Sequence, residues 1–136
     1  MILSLEKALA HSKAGMLAES VRLNTVASNI ASANAESTNA NDAYKAKKVV
    51  FSRVMNRTTG IMELKAVGVQ ESQAQHKVRF DPGHPMADEN GYVYGSNVNT
   101  IEEMTDMQSA TKSYETNALV VGSIKQMMNK TLQLGK

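Results

Sequence analysis

The chain has 136 residues, which is enough for one domain and too few for a two-domain enzyme with a separate cofactor module. Leu, Ile, Val and Phe supply only 28 residues, about 21%, and Trp is absent, so there is little material for a self-sufficient core. A net charge of +2 gives weak support for a nucleic-acid partner, and the lack of cysteine excludes disulfides, thiolate zinc sites and cysteine nucleophiles.

The N-terminal segment lacks the pattern of a cleaved secretion signal. Glu6 and Lys7 fall where such a signal needs an unbroken apolar stretch. No later stretch approaches the roughly 18 apolar residues of a membrane span. We therefore expect neither a Sec-type signal nor a membrane-spanning segment.

Residues 2–33 carry apolar side chains every seven positions, which predicts one long helix with a narrow apolar stripe. The stripe consists of Ile2, Leu9, Met16, Leu23 and Ile30. Short polar residues at 34–39 compete with helical backbone bonds, so we expect the helix to end there. Its length of about 45–50 Å exceeds what one small core requires.

The middle of the chain has a different composition from its ends. Five of the six aromatic residues, both prolines and five of the eight glycines lie between positions 44 and 95. Alternating apolar and charged residues predict strands at 62–66 and 76–80. Residues 81–84 fit a type II turn, and Asn-Gly at 90–91 fits a hairpin turn. We therefore expect a small, turn-rich β module.

Residues 101–132 repeat the seven-residue spacing and predict a second long helix. Thr100 and Glu103 have the spacing of a capping box, so we expect the helix to begin near residue 100. We expect Glu102, Glu103 and Asp106 in an exposed first turn, where they complement the positive helix end rather than act as catalytic acids. The apolar stripe is Met107, Tyr114, Val121 and Met128, reinforced by Met104, Ala118, Ile124 and Leu132.

These elements predict an α+β fold, in which two long terminal helices form an antiparallel coiled-coil-like pair with a small irregular β module between them. The expected division is 1–36 for the N-terminal helix of an inner domain, 37–99 for the middle module, and 100–136 for the C-terminal helix of the inner domain. Two narrow stripes and a thin core cannot satisfy both helices within one subunit. We therefore expect neighbouring subunits to cover the remaining apolar faces.

No set of side chains predicts catalysis, a cofactor or a metal site. His11, His76 and His84 have no i, i+4 histidine partner on a helix and no carboxylate at ligand spacing. No glycine-rich phosphate loop and no G-x-S-x-G nucleophile motif occurs. The sequence therefore predicts a protein that is not an enzyme and takes neither a cofactor nor a small-molecule substrate.

Residues 44–57 carry five basic side chains, two aromatic residues and no acid. A single-strand nucleic-acid platform uses this combination. The alternative is an edge strand whose lysines prevent stray strand pairing. Because the overall charge is small, we favour the edge strand and expect no nucleic-acid partner, with a small nucleic-acid-binding module as the alternative.

A stripe of small and amide side chains lies beside the apolar stripe of the first helix. Small residues permit close helix approach, and amides can donate or accept hydrogen bonds across an interface. The same residues could also be a weak, solvated helix end, and the residues alone leave both interpretations open. The stripe consists of Asn24, Ala27, Ala31 and Asn34.

Residues 23–34 resemble the N-terminal signature of bacterial flagellar axial proteins of the rod and hook group, Leu-Asn-x-x-Ala-x-Asn-[Ile/Leu]-Ala-Asn-Ala-Asn. Every position matches except Ser32, where that family usually has Asn. The resemblance extends over nearly the whole chain, and residues 81–93 and 125–135 narrow it to a proximal-rod member. Its mild departures are Ser96, Lys112 and Thr116, where Pro, Arg and Ala are usual.

The resemblance implies a structural subunit, exported unfolded by the flagellar type III apparatus without signal cleavage. It implies polymerisation with copies of itself and sister rod proteins into a hollow periplasmic shaft that transmits torque, with the terminal helices forming the inner tube. A related axial protein at another level of the shaft is the alternative. The expected subunit-interface residues are Leu9, Met16, Leu23, Asn24, Val26, Ala27, Asn29, Ile30, Ala31, Asn34, Met104, Met107, Tyr114, Ala118, Val121, Ile124, Met128 and Leu132.

Overall fold

The computed structural model describes residues 1–135. The predicted α+β fold class is confirmed, because two long terminal helices pack together and antiparallel strands lie between them in the sequence. In chain order the elements are α1 (Ile2–Ala31), β1 (Glu36–Ser37), β2 (Lys47–Asn56), β3 (Ile61–Glu71), β4 (Val78–Phe80), β5 (Tyr92–Gly95) and α2 (Thr100–Leu134).

The helices α1 and α2 run antiparallel along their contact. Toward the N-terminus of α1, its residues meet residues progressively closer to the C-terminus of α2. The antiparallel pair predicted from sequence is therefore confirmed. The register is given by three cross-helix pairs: Asn29 with Glu103, Arg22 with Asp106, and Gly15 with Asn117.

The face of α1 that meets α2 is mostly small and polar, with the buried Val26 between Arg22 and Asn29 as its apolar member. Ser12 and Asn29 are buried there, and Gly15 and Arg22 share the same face at helical spacing. The predicted apolar stripe lies beside this face and is half-buried, apart from the exposed Ile2. Seven-residue spacing therefore located a stripe on α1, but it did not identify the side that contacts α2.

The start of α2 agrees with the prediction, but its cap does not. The N-cap residue is Asn99, whose Oδ1 accepts hydrogen bonds from the backbone N of Ile101 at 3.2 Å and of Glu102 at 3.5 Å. The predicted capping box of Thr100 with Glu103 is wrong, because the Glu103 carboxylate is buried against α1 instead. Asn and Thr are both good cap residues, so their adjacency misplaced the cap by one position.

The five strands form two separate antiparallel sheets. One has the order β1-β5-β4, and the other is a two-stranded ribbon of β2 and β3 that packs against α1. A register shift opposite Val50 and Phe51 leaves Val67 as the extra residue of a bulge. Both ribbon strands are edges, so the edge-strand interpretation of the basic run is confirmed.

The two predicted turns differ from expectation in detail. The turn at residues 81–84 is closed by His84 N, which donates to Asp81 O at 3.1 Å, but Gly83 lacks the positive φ of a type II turn, so that turn type is wrong. Gly91 does have a positive φ, +83°. The turn at Gly91 ends the 81–91 connection, and the strands on either side of that connection pair through Phe80 and Tyr92. Residues 90–91 are therefore not a two-residue hairpin loop.

Little apolar material is buried in the described chain. Among its residues, the only buried hydrophobic side chains larger than Ala are Val26, Val93, Val98 and Ile124. The accessible surface is 9285 Å², compared with about 7000 Å² expected for a compact monomer of this mass. The subunit is therefore extended and thinly packed, as its composition predicts.

Candidate functional site

Asn29 lies where the two helices meet the β2–β3 ribbon, and it is completely buried. Its Nδ2 donates to Lys47 O at 2.7 Å and to Glu103 Oε2 at 3.0 Å. Its Oδ1 accepts from Lys47 N at 2.9 Å and from the Tyr44 hydroxyl at 3.0 Å. All four hydrogen-bonding positions of the amide are used, so Asn29 joins α1, α2 and the start of β2.

Asn97 makes a second set of connections just before α2. Its Oδ1 accepts from Ala46 N at 2.6 Å, and its Nδ2 donates to the carbonyl oxygens of Ser72 and Ala74 at 3.1 Å each. These bonds hold the entry to β2, the exit from β3 and the entry to α2 together. The ribbon and the helix pair therefore meet in a continuous polar junction.

Ser96, one of the departures from the family pattern, is buried in this junction. Its hydroxyl donates to the carbonyl oxygen of Ala33 at 2.6 Å. The small hydrophobic cluster of Ala33, Ala46 and Val98, with Tyr44 packed against it, lies beside these polar contacts. The hydroxyl therefore satisfies a carbonyl just beyond the end of α1.

Arg22 and Asp106 form an ion pair between the helices, and Arg22 also lies 3.4 Å from Glu19. The hydrogen bond to Asp106 raises the pKa of Arg22 above its already high ordinary value. Of the three acids expected in an exposed first turn, Glu103 and Asp106 instead make contacts across the helix pair. Only Glu102 is exposed without such a contact.

The predicted interface residues fall into three groups. Val26, Asn29 and Ile124 are buried by their own chain and have no surface left for a neighbour. The half-buried members are Leu9, Met16, Leu23, Ile30, Met107, Ala118, Val121 and Met128. The exposed members are Asn24, Ala27, Ala31, Asn34, Met104, Tyr114 and Leu132.

The stripe of small and amide side chains is exposed throughout, and its last member, Asn34, lies just past the end of α1. Several large aliphatic side chains outside the predicted stripes are also exposed, with 71% of Leu17, 77% of Ile101 and 74% of Leu119 accessible. The apolar periodicity did not predict these residues, because they do not follow the seven-residue spacing. These three side chains add to the aliphatic surface that the subunit leaves exposed on its two helices.

Within residues 1–135, no three His, Asp or Glu side chains lie close enough together to hold a metal ion. In that same part of the chain, neither helix combines the length and the hydropathy that crossing a bilayer needs.

The chain is similar to known flagellar proteins along most of its length. The family described as flagellar basal body rod FlgEFG protein C-terminal matches residues 89–134. The flagellar basal-body rod proteins FlgC of Salmonella typhimurium and of Escherichia coli are each 42% identical over 123 residues, covering 89% of this chain and 90% of the relative. FlgC of Agrobacterium fabrum is 35% identical over 125 residues, covering 90% of this chain and 88% of the relative.

These relatives match about nine-tenths of the chain. The resemblance to flagellar rod proteins that the sequence predicts is thereby confirmed. The chain belongs to the FlgC family of flagellar basal-body rod proteins, a family of structural rod proteins.

Proposed function

We propose that this chain is a structural subunit of the proximal rod, and that it polymerises through its terminal helices into a hollow shaft that transmits torque. The observation that carries the proposal is the imbalance between the thin interior of the subunit and the large aliphatic side chains exposed along both helices. Burial against neighbours removes this surface from water and stabilises the assembled state. Copies of this chain and sister rod proteins are the proposed partners.

The proposed interface consists of the exposed and half-buried members of the predicted set. Asn24, Ala27, Ala31 and Asn34 suit close contact with a neighbouring helix, because they combine small side chains with amides that bond in either direction. We assign Val26, Asn29 and Ile124 to the interior of the subunit instead, because they are buried there.

The polar junction suits a subunit that transmits force from its helix pair to its ribbon. A ribbon that shifts relative to the helix pair has to break the buried hydrogen bonds of Asn29 and Asn97. Each buried polar group that loses its hydrogen-bond partner lowers the stability by about 1–3 kcal/mol. The junction therefore fixes the ribbon to the helices, as a subunit that transmits force through its contacts requires.

We also propose export of the unfolded chain by the flagellar type III apparatus, without signal cleavage, followed by assembly in the periplasm. A chain with so little buried apolar surface offsets only a small part of its ordering entropy by itself. Such a chain passes through a narrow channel readily and gains order from its neighbours after export.

The nucleic-acid alternative finds little support in the basic ribbon. Tyr44 and Phe51 are half-buried and do not form an open stacking surface. The Lys45 ammonium lies 3.9 Å from the Glu71 carboxylate, and the Lys47 ammonium lies 6.0 Å from the centre of the Tyr44 ring.

The proposed function is tested by deleting the gene in a motile host and purifying basal bodies. We expect no rod beyond the export apparatus in the deletion strain, and rods containing this chain after complementation. Density maps of those rods locate the chain along the shaft. A position beyond the proximal rod would favour the alternative, a related axial protein at another level of the shaft. Complete rods and normal swimming without the chain would contradict the proposal.

A further inference from the structure

The helix pair has two different ends. At one end lies the polar junction, where Asn29 joins α1 to α2 and to β2. In the middle of α1, residues 63–66 of β3 face Ala14, Leu17, Ala18 and Val21 across a shallow cleft. At the other end, residues 1–10 of α1 lie beside the C-terminal turns of α2, as the antiparallel register requires. We call residues 1–10 the α1 tip.

The α1 tip presents one ordered face. Leu3, Glu6, Lys7 and Ala10 share this face at helical spacing, and 65% of Leu3 is exposed. Glu6 lies on one side of the line through Leu3 and Ala10, and Lys7 lies on the other. The same face continues into residues 14–21, which β3 lines, and at the tip Leu3, Glu6 and Lys7 are exposed whereas Ala10 is half-buried.

A groove of about 730 Å³ lies at the junction end, between β2 and the first turns of α2. Val49, Phe51 and Ile101 supply apolar walls, and Ile101 is the most exposed of the three. Lys47 and Lys48 are exposed on the β2 side, and Glu102 is exposed on the α2 side. Arg22 and Asp106 also line the groove, where they pair with each other. The groove is therefore basic on its β2 side and acidic on its α2 side, and both sides contribute apolar surface.

We propose that the groove of one copy binds the α1 tip of a second copy, with Leu3 against Phe51 and Ile101. In this arrangement Glu6 faces Lys47 and Lys48, and Lys7 faces Glu102. We identify the occupant from charge complementarity. The acidic side of the tip faces the basic side of the groove, the basic side of the tip faces the acidic side of the groove, and apolar side chains meet between them. The inference rests on the proposed polymerisation and names one of its contacts.

This contact joins different surfaces of the two copies. The tip and the groove are about 40 Å apart along the helix pair, so one copy cannot fill its own groove. A contact between unlike surfaces repeats head to tail and builds an open string or a helix, whereas a contact between identical surfaces stops at a dimer. The proposed docking therefore fits a subunit that polymerises.

Disulfide cross-linking tests the proposal directly, because the chain has no cysteine of its own. In rods assembled from a Leu3→Cys, Ile101→Cys double variant, oxidation is expected to produce a ladder of covalent multimers. Each single variant is expected to produce no ladder. The matched control is a Leu3→Cys, Met86→Cys double variant, since Met86 is an exposed apolar position in the 81–91 connection and does not line the groove.

Charge reversal provides an independent readout. Glu6→Lys or Lys48→Glu alone is expected to lower rod yield about tenfold, and the double reversal is expected to restore it. Dimers formed by Leu3→Cys alone, or a ladder from the control pair, would overturn the docking. Failure of the unaltered chain to enter rods would refute the proposed function, whereas normal rods without the Leu3–Ile101 ladder would refute the docking alone.

Discussion

Asn29 and Glu103 meet in a buried hydrogen bond between the two terminal helices, with Asn29 Nδ2 donating to Glu103 Oε2 at 3.0 Å. The same amide holds the backbone of Lys47, so the geometry of the helix pair and the position of the ribbon depend on one side chain. The buried Glu103 carboxylate depends on the Asn29 amide for its hydrogen bond, and all four hydrogen-bonding positions of that amide are used.

Replacing Asn29 should therefore damage the subunit more than any exposed change on α1. Asn29→Ala leaves Glu103 and the Lys47 backbone without their partner and should cost about 2–4 kcal/mol per subunit. Asn29→Asp should be at least as harmful, because it places a second carboxylate against Glu103. The measurement is rod yield and the temperature at which purified rods release this subunit. Asn24→Ala, an exposed change on the same helix, is the control and should lower that temperature much less.

A charge on the exposed apolar face of α2 should block assembly without blocking export. Leu119 is 74% exposed, so Leu119→Glu costs the isolated subunit little but places a carboxylate in a proposed contact. We expect this variant to be secreted in normal amounts and to form few rods. We expect the same result for Val121→Glu on α2 and for Leu23→Glu on α1. Met86→Glu, an exposed apolar position in the 81–91 connection, should leave rods intact. Normal swimming in the Leu119→Glu strain would remove this face from the interface.

The ion pair of Arg22 and Asp106 should make a smaller contribution than the buried amide. Both side chains are partly exposed, so Arg22→Ala or Asp106→Ala should cost about 0.5–1 kcal/mol, seen as a modest drop in the release temperature of rods. Because the pKa of Arg22 is raised, its contribution is complete below the ordinary arginine pKa and is lost only as the pH rises above it. A double swap, Arg22→Asp with Asp106→Arg, should recover part of the loss, and additive losses would show that the pair does not couple.

The purified chain should show no salt-sensitive binding to a labelled single-stranded oligonucleotide. Its aromatic residues near the basic run are half-buried, and its net charge is only +2. Fluorescence anisotropy at low and moderate salt measures this, with a Lys47→Glu, Lys48→Glu variant as the control. Binding that weakens steeply with salt and is lost in that variant would support the nucleic-acid alternative.

The sequence was sufficient to predict the two helices, their antiparallel pairing and an edge strand carrying the basic run. It was not sufficient to predict which faces are buried. In β3, alternation identified a strand, yet Glu63 is buried with Asn56 Nδ2 donating to its carboxylate at 2.9 Å, while Met62 and Leu64 on the opposite face are exposed. Hydropathy cannot anticipate such a face, because a polar side chain from the paired strand satisfies the buried acid with a hydrogen bond.

The polar junction shows the same limit in the helices. The amide of Asn29 belongs to a stretch that resembles an assembly signature, but its four bonds come from residues 15 to 74 positions away. No local pattern distinguishes it from the exposed Asn24 on the same helix. Only the meeting of α1, α2 and β2 determines which of the two asparagines is buried.

Circular dichroism and backbone hydrogen exchange test directly whether neighbours complete this subunit, by comparing the purified chain at micromolar concentration with the same chain in rods. We expect low helix content and fast, broad exchange in the free chain, with strong protection of both terminal helices after assembly. A free chain that is fully helical, melts cooperatively and protects residues of α1 and α2 would contradict the claim that neighbours complete this subunit.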